Sequence, residues 1–287
     1  MEEFRFKSVL KESLGKTLQL SFAPNLAMNH RILAFTETKA EEGSKNLMNI
    51  TGKTILITGT NRGLGKALVE EALRRGAQLV YAGERVPMEH SDKRVTPLIL
   101  DITNAAQIQE AVEQVNSLDI LINNASIALS DDVSDRTAIE QHLAVIFFGT
   151  YDMIQAFLPL LTRSRGAIVN VLSVAALAAL PVIPPYSIAK AASFNLTQSL
   201  RALLAGQGVS VHAVLPGPID TEMSRSLDVP KASPESVARA IFDGVEEGEE
   251  EIFPDPMSES LAQSWRSGAV KELERQNATL VAAGEGK

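Results

Sequence analysis

The sequence predicts an α/β fold: one doubly wound sheet of about seven parallel strands with helices on both faces. Three observations carry this. From Lys53 onward, short β-rich runs alternate with longer helical patterns, the signature of βαβ units. Glycines cluster directly after the first such run, where a strand would turn into a helix. A chain of 287 residues with 45% apolar content can bury the core of one large domain.

The first strand is expected at Thr54 to Thr58, followed by Gly59, Gly63 and Gly65 and a helix whose apolar face is Leu64, Leu68, Ala72 and Leu73, ended by Gly76. Further strands are expected at Gln78 to Ala82, Thr96 to Leu100, Asp119 to Asn123, Ala167 to Leu172, Val209 to Leu215 and Glu251 to Phe253. Ile188, Ala192, Leu196, Leu200 and Leu203 make a second helical face, ended by Gly206 and Gly208. Residues 1 to 50 have mixed charge and weak periodicity and read as an extension of unknown role, leaving 51 to 287 as the folded domain.

Composition excludes several classes. The absence of cysteine removes disulfides, thiolate zinc sites and a cysteine nucleophile together. A net charge of -8 without a basic stripe argues against nucleic-acid binding. Five glutamates between Glu246 and Glu251 read as a solvated turn. The longest apolar stretch, Ala167 to Ile183, contains Asn170, Ser173 and Pro181 and falls short of the roughly 20 residues of a membrane span, so it reads as a buried strand and loop. Charges at Glu2, Glu3, Lys7, Lys11 and Glu12 are unlike a secretory leader, and a cytoplasmic protein is expected. His142 reads as a packed or surface histidine, and His30, His90 and His212 show no ligand spacing, so no metal site is expected.

In open α/β sheets ligands collect at the carboxyl ends of the strands, and the chemistry-bearing residues fall there. Gly59, Gly63 and Gly65 would let backbone amides approach a pyrophosphate at a helix N-terminus, although Gly-x-x-x-Gly-x-Gly alone is a modest signal. Tyr186 and Lys190 stand four apart on a helical stretch and so share a face. A cation beside a phenol, whose ordinary pKa is about 10, favours the ionised form and makes a usable proton donor and acceptor.

Taken in order, these motifs resemble the short-chain dehydrogenase/reductase family, with a Rossmann-type fold, over about residues 53 to 257. The resemblance rests on Thr58 to Gly65, Asp101-Ile102, Asn123-Asn124-Ala125, Ser173, Tyr186 to Lys190, and Pro216-Gly217 through Thr221. It implies an oxidoreductase interconverting a small, largely apolar ketone or aldehyde and its alcohol by hydride transfer. Tyr186 would be the general acid/base, Lys190 would lower its pKa and hold the nicotinamide ribose, and Ser173 would hydrogen-bond the carbonyl oxygen. Cofactor contacts are implied at Gly59, Thr60, Asn61, Arg62, Gly63, Leu64, Arg85, Asp101, Ile102, Asn123, Ala125, Tyr186, Lys190, Pro216, Ile219 and Thr221. Arg85 and Arg62 favour NADP(H), with Glu84 turned away from the phosphate, and NAD(H) is the alternative.

The resemblance also implies a homodimer or homotetramer assembled through Arg136 to Leu161 and Tyr186 to Leu204. Candidate substrate walls are Met223, Leu227 and Val229, and Leu177, Ala179, Leu180, Val182 and Ile183. Two positions depart from the family pattern. Ile146 replaces an asparagine, which is expected to disfavour a local helix distortion and reduce turnover, and Ser126 replaces a glycine, which matters if that position needs positive φ or close approach by the cofactor and is harmless otherwise. These departures motivate an alternative reading, an impaired nucleotide-sensing or scaffold protein.

Overall fold

Among the described residues seven parallel strands form one sheet, its central strands rich in Ile, Val and Leu and buried on both faces. The computed structural model describes residues 48–86, 89–129 and 133–284. The strands are β1 (Thr54–Thr58), β2 (Leu79–Glu84), β3 (Val95–Ile99), β4 (Ile120–Asn123), β5 (Ala167–Val171), β6 (Ser210–Val214) and β7 (Glu251–Ile252). Their order is β3-β2-β1-β4-β5-β6-β7, so the winding reverses between β1 and β4 and opens a crevice at their carboxyl ends.

Side chains alternate across this sheet and divide the core in two. Ile55, Ile57, Ile120, Ile122 and Val169 face α1 (Gly63–Arg74) and α6 (Pro234–Glu246), whereas Leu56, Leu121 and Ile168 face α2 (Ala105–Gln114), α4 (Thr150–Ser164) and α5 (Pro184–Leu204). A third cluster joins Leu172, Phe194, Leu215 and Phe253 to α7 (Pro256–Arg266). The chain ends its described part in α8 (Ala269–Gly284). A short helix, α3 (Arg136–His142), runs through a π-helical segment, Leu143–Gly149, into α4. The continuous stretch Arg136–Ser164 is long and apolar enough to span a membrane by length and composition. Here its Met153, Ile154, Phe157 and Leu161 are fully buried in the core beneath the sheet.

Several expectations change. The strands lie where expected within two residues at each end. The expected extension falls almost wholly outside the described residues, but Ile50, placed in it, is fully buried in the core. On α5 the buried face is Ala189, Ser193, Thr197, Leu200 and Leu204, while Ile188 and Leu203 are exposed. Small residues let that helix approach the sheet, and the larger apolar ones are displaced outward. The glutamate run is not simply a solvated turn. Glu251 is buried on β7, where its carboxylate accepts from Arg201 at 2.8 Å and Lys271 at 2.9 Å, and Lys271 also pairs with Glu250 and Glu274. His142 is fully buried, with Nε2 accepting the Leu129 N–H at 3.1 Å.

Candidate active site

The turn from β1 into α1 is built around missing side chains. Gly59 and Gly63 adopt φ of +72° and +55°, and a Cβ on Gly65 would stand 2.0 Å from the Gly59 carbonyl oxygen and 2.7 Å from Asn124 Nδ2. Asn124 locks this turn: its Nδ2 donates to the carbonyls of Thr58 at 2.9 Å and Gly59 at 3.1 Å. The Thr58 hydroxyl accepts the N–H groups of Asn124 and Ala125, both at 3.0 Å. Arg62 at the N-cap provides no side-chain cap for α1, so the first amides of this 12-residue helix stay free of a capping side chain. A turn of this shape fits the pyrophosphate of a dinucleotide.

The turn opens into a cleft of 1220 Å³ along the carboxyl edge of the sheet. Of the expected site residues, Gly59, Asn61, Arg62, Gly63, Leu64, Arg85, Asp101, Ile102, Ala125, Ser173, Tyr186, Lys190, Pro216, Ile219 and Thr221 line it. Two of the expected contacts, Thr60 and Asn123, are not among the residues that line the cleft. Thr60 is buried behind the loop with its hydroxyl donating to Glu84 Oε1 at 2.8 Å. That bond also turns the Glu84 carboxylate into the protein. Asn123 donates to Asn170 Oδ1 at 2.9 Å, and Asn170 donates to Thr197 at the same distance, a buried polar string joining β4, β5 and α5. Both residues hold the frame. Across the cleft, hydrogen bonding from Thr103 holds the Asp101 carboxyl below its ordinary pKa against the effect of burial, with a smaller contribution from the Arg85 charge.

Ser173 follows β5 and caps a single 3-10 turn, Val174–Ala176, accepting the Ala175 N–H at 3.1 Å. Tyr186 and Lys190 lie in the first two turns of α5, which Pro184 and Pro185 start. Lys190 is buried, its Nζ donating to the Val171 carbonyl at 2.7 Å and standing 5.4 Å from the Tyr186 ring centroid. Burial pushes the Tyr186 phenol up to about 12, opposed by a hydrogen bond from Ser173, and burial pulls Lys190 down to about 7. Burial thus works against the lowering of the phenol pKa that the spacing suggests, and weakens the Lys190 charge as well. At neutral pH Tyr186 is a protonated acid, suited to donate.

The structure shows the backbone at both departures. The helix around Ile146 is distorted after all, as the π-helical segment Leu143–Gly149, and the Ile146 carbonyl accepts the Ser193 hydroxyl at 3.0 Å. The main chain makes this contact, so a branched side chain does not prevent it. Ser126 lines the cleft at an ordinary negative φ, so no backbone strain follows from the missing glycine; its buried hydroxyl has no partner among the described residues.

Sequence reasoning missed Met257 and Leu261, which α7 brings into the cleft wall. No motif marks them; only their spacing of four on an amphipathic helix could have pointed to a shared face. It also left out Asn124 as the clamp of the glycine turn, although the residue was visible between Asn123 and Ala125.

Residues 53–231 match the family model for short chain dehydrogenases. A crystal structure of a short chain dehydrogenase from Burkholderia cenocepacia J2315 in complex with NADP superposes with a TM-score of 0.72 at 40% identity, covering 77% of this chain and 95% of that one. The 2-(S)-hydroxypropyl-CoM dehydrogenase 3 of Xanthobacter autotrophicus is 35% identical over 67% of this chain and 82% of its own length. The 3-oxoacyl-[acyl-carrier-protein] reductase FabG of Thermotoga maritima is 34% identical over 63% of this chain and 79% of its own. The sheet order, the glycine turn and the Ser173, Tyr186 and Lys190 cluster agree with that match, and the chain belongs to the short chain dehydrogenase family.

Proposed function

We propose that this protein is an NADP(H)-dependent oxidoreductase interconverting a largely apolar ketone or aldehyde and the corresponding alcohol, with Tyr186 as the general acid/base. The observation that carries this reading is the convergence of Ser173, Tyr186 and Lys190 on one cleft with the glycine turn. When bound, NADPH supplies a hydride to the carbonyl carbon. Tyr186, protonated at neutral pH, gives its proton to the carbonyl oxygen, which balances the reduction to an alcohol. The Ser173 hydroxyl donates to the same oxygen as charge builds on it. Lys190 holds the floor of the site through Val171 and is placed to reach the nicotinamide ribose.

Preference for NADP(H) is supported by Arg62 and Arg85, both exposed in the cleft wall, by the inward turn of Glu84, and by the NADP-bound relative. Self-association belongs to the same reading. Phe148 in the π-helical segment, Tyr151 at the start of α4, and Ile188 and Leu203 on α5 leave apolar surface exposed where a second copy would dock. The test is NADPH consumption against a panel of ketones and aldehydes. Turnover at neutral pH supports the reading, and NADPH binding without turnover across the panel refutes it.

A further inference from the structure

The wall of the cleft beyond Ser173 and Tyr186 comes from three segments: the loop 177–183, the loop 222–230, and α7. Leu180, Val182, Met223, Val229, Met257 and Leu261 all line it, and each is between 38% and 61% exposed. Single exposed apolar residues are ordinary on a protein surface. Six converging on one cleft mark a binding surface. Glu222, the only ionisable residue from these three segments that lines the cleft among the described residues, is ion-paired with Arg225. The cations Arg62 and Arg85 follow β1 and its neighbour β2, on the far side of the winding reversal.

This wall is fixed. The Asp255 carboxylate, buried at the N-cap of α7, accepts the Gly217 N–H at 2.8 Å, the Met257 and Ser258 N–H groups at 3.1 Å each, and the Ser258 hydroxyl at 2.7 Å. One carboxylate thus ties the start of α7 to the loop leaving β6. At the other end, Trp265 packs edge-on to Phe194 of α5, with centroids 5.5 Å apart. Met257 and Leu261, one turn apart between these anchors, form a rail along the cleft. The whole cleft, at 1220 Å³, exceeds the roughly 300–1,000 Å³ of a single-ligand pocket and has room for an elongated second ligand.

We propose that the substrate is an uncharged carbonyl compound, or its alcohol, bearing an extended apolar chain that runs outward from Tyr186 between the loop 222–230 and α7, with Met257 and Leu261 as specificity-determining residues. The proposal rests on the oxidoreductase reading and extends it from a small substrate to a long one.

The test uses the full-length enzyme with saturating NADPH and the series from 2-butanone to 2-octanone. The expected result is a rise in kcat/KM of about two- to fourfold per methylene, as buried hydrocarbon contributes. A terminal carboxylate, as in 7-oxooctanoate, is expected to lower kcat/KM about tenfold against 2-octanone. The double variant Met257→Gln, Leu261→Gln is expected to reduce the 2-octanone to 2-butanone ratio of kcat/KM about tenfold. Calorimetric binding to the enzyme with NADP+ separates the two readings, and the lone tryptophan, Trp265 on α7, offers an emission signal beside the same wall. Chain-length-dependent binding without turnover would keep the apolar-chain site along α7 but remove the oxidoreductase reading and with it the assignment of the bound compound as substrate. Equal kcat/KM and equal binding across the series, preference for the carboxylate, an unchanged ratio in the double variant, or no binding of 2-octanone up to its solubility would overturn the proposal, the first of these leaving the reductase intact.

Discussion

His212 makes the stability of this protein dependent on mild acid. It is buried on β6, its Nδ1 donating to the Glu249 carbonyl at 2.6 Å and its Nε2 accepting from Ser210 at 3.1 Å, which fixes the neutral ring. Burial, aided by the Arg201 charge and opposed by the Glu249 carbonyl, lowers its pKa from 6.5 to about 4. Between those values the unfolded chain binds the proton and the folded one does not, so stability is full above 6.5 and is lost as pH falls toward 4. The linkage relation gives a loss on the order of 1 kcal/mol at about pH 5.5 and on the order of 2 to 3 kcal/mol at about pH 4.5. Urea unfolding of the natural protein and of His212→Gln at a series of pH values isolates this contribution, because every other titrating group is shared. The stability advantage of the natural protein is expected to shrink by those amounts on acidification. A difference that stays constant from about pH 7.5 to about pH 4.5 would refute the reasoning.

Three other outcomes are expected. Gly65→Ala drives a Cβ to 2.0 Å from the Gly59 carbonyl, and since a displacement of about 1 Å in a binding loop costs about a hundredfold, NADPH affinity should fall by about that factor in a fluorescence titration. Glu251→Ala strips a buried carboxylate from Arg201 and Lys271 and should cost about 3 kcal/mol in urea unfolding, with faster hydrogen exchange in α8. Ser193→Ala removes the donor to the Ile146 carbonyl and should cost about 1 kcal/mol; no change would mean that this hydrogen bond does not hold the π-helical segment.

The strands were legible because parallel strands buried on both faces must be nearly all apolar, and TILIT, ILIN and AIVNV satisfy that over four or five residues. The cleft was legible because glycines, Ser173 and the Tyr186–Lys190 pair are constrained by backbone approach and by chemistry. What escaped reading depended on tertiary packing. The orientation of α5 is ambiguous in sequence since apolar residues surround it, and only the sheet decides that Ala189 and Ser193 pack inward while Ile188 does not. Thr60 and Asn123 sit inside recognisable motifs, yet their side chains bond Glu84 and Asn170 and hold the frame. Glu251 looked solvated amid other glutamates because its partners, Arg201 and Lys271, are distant in sequence. The pKa of Lys190 followed from its depth beneath the cleft, which spacing along a helix does not reveal.

The central claim is that the Tyr186 hydroxyl delivers the proton. Tyr186→Phe removes one oxygen atom from a part-buried ring while leaving the glycine turn and Lys190 in place. Measured with NADPH and the best ketone of the series, kcat should fall by a factor of about a hundred to ten thousand while the Kd for NADPH changes by less than about threefold. Undiminished kcat in that variant would contradict the account.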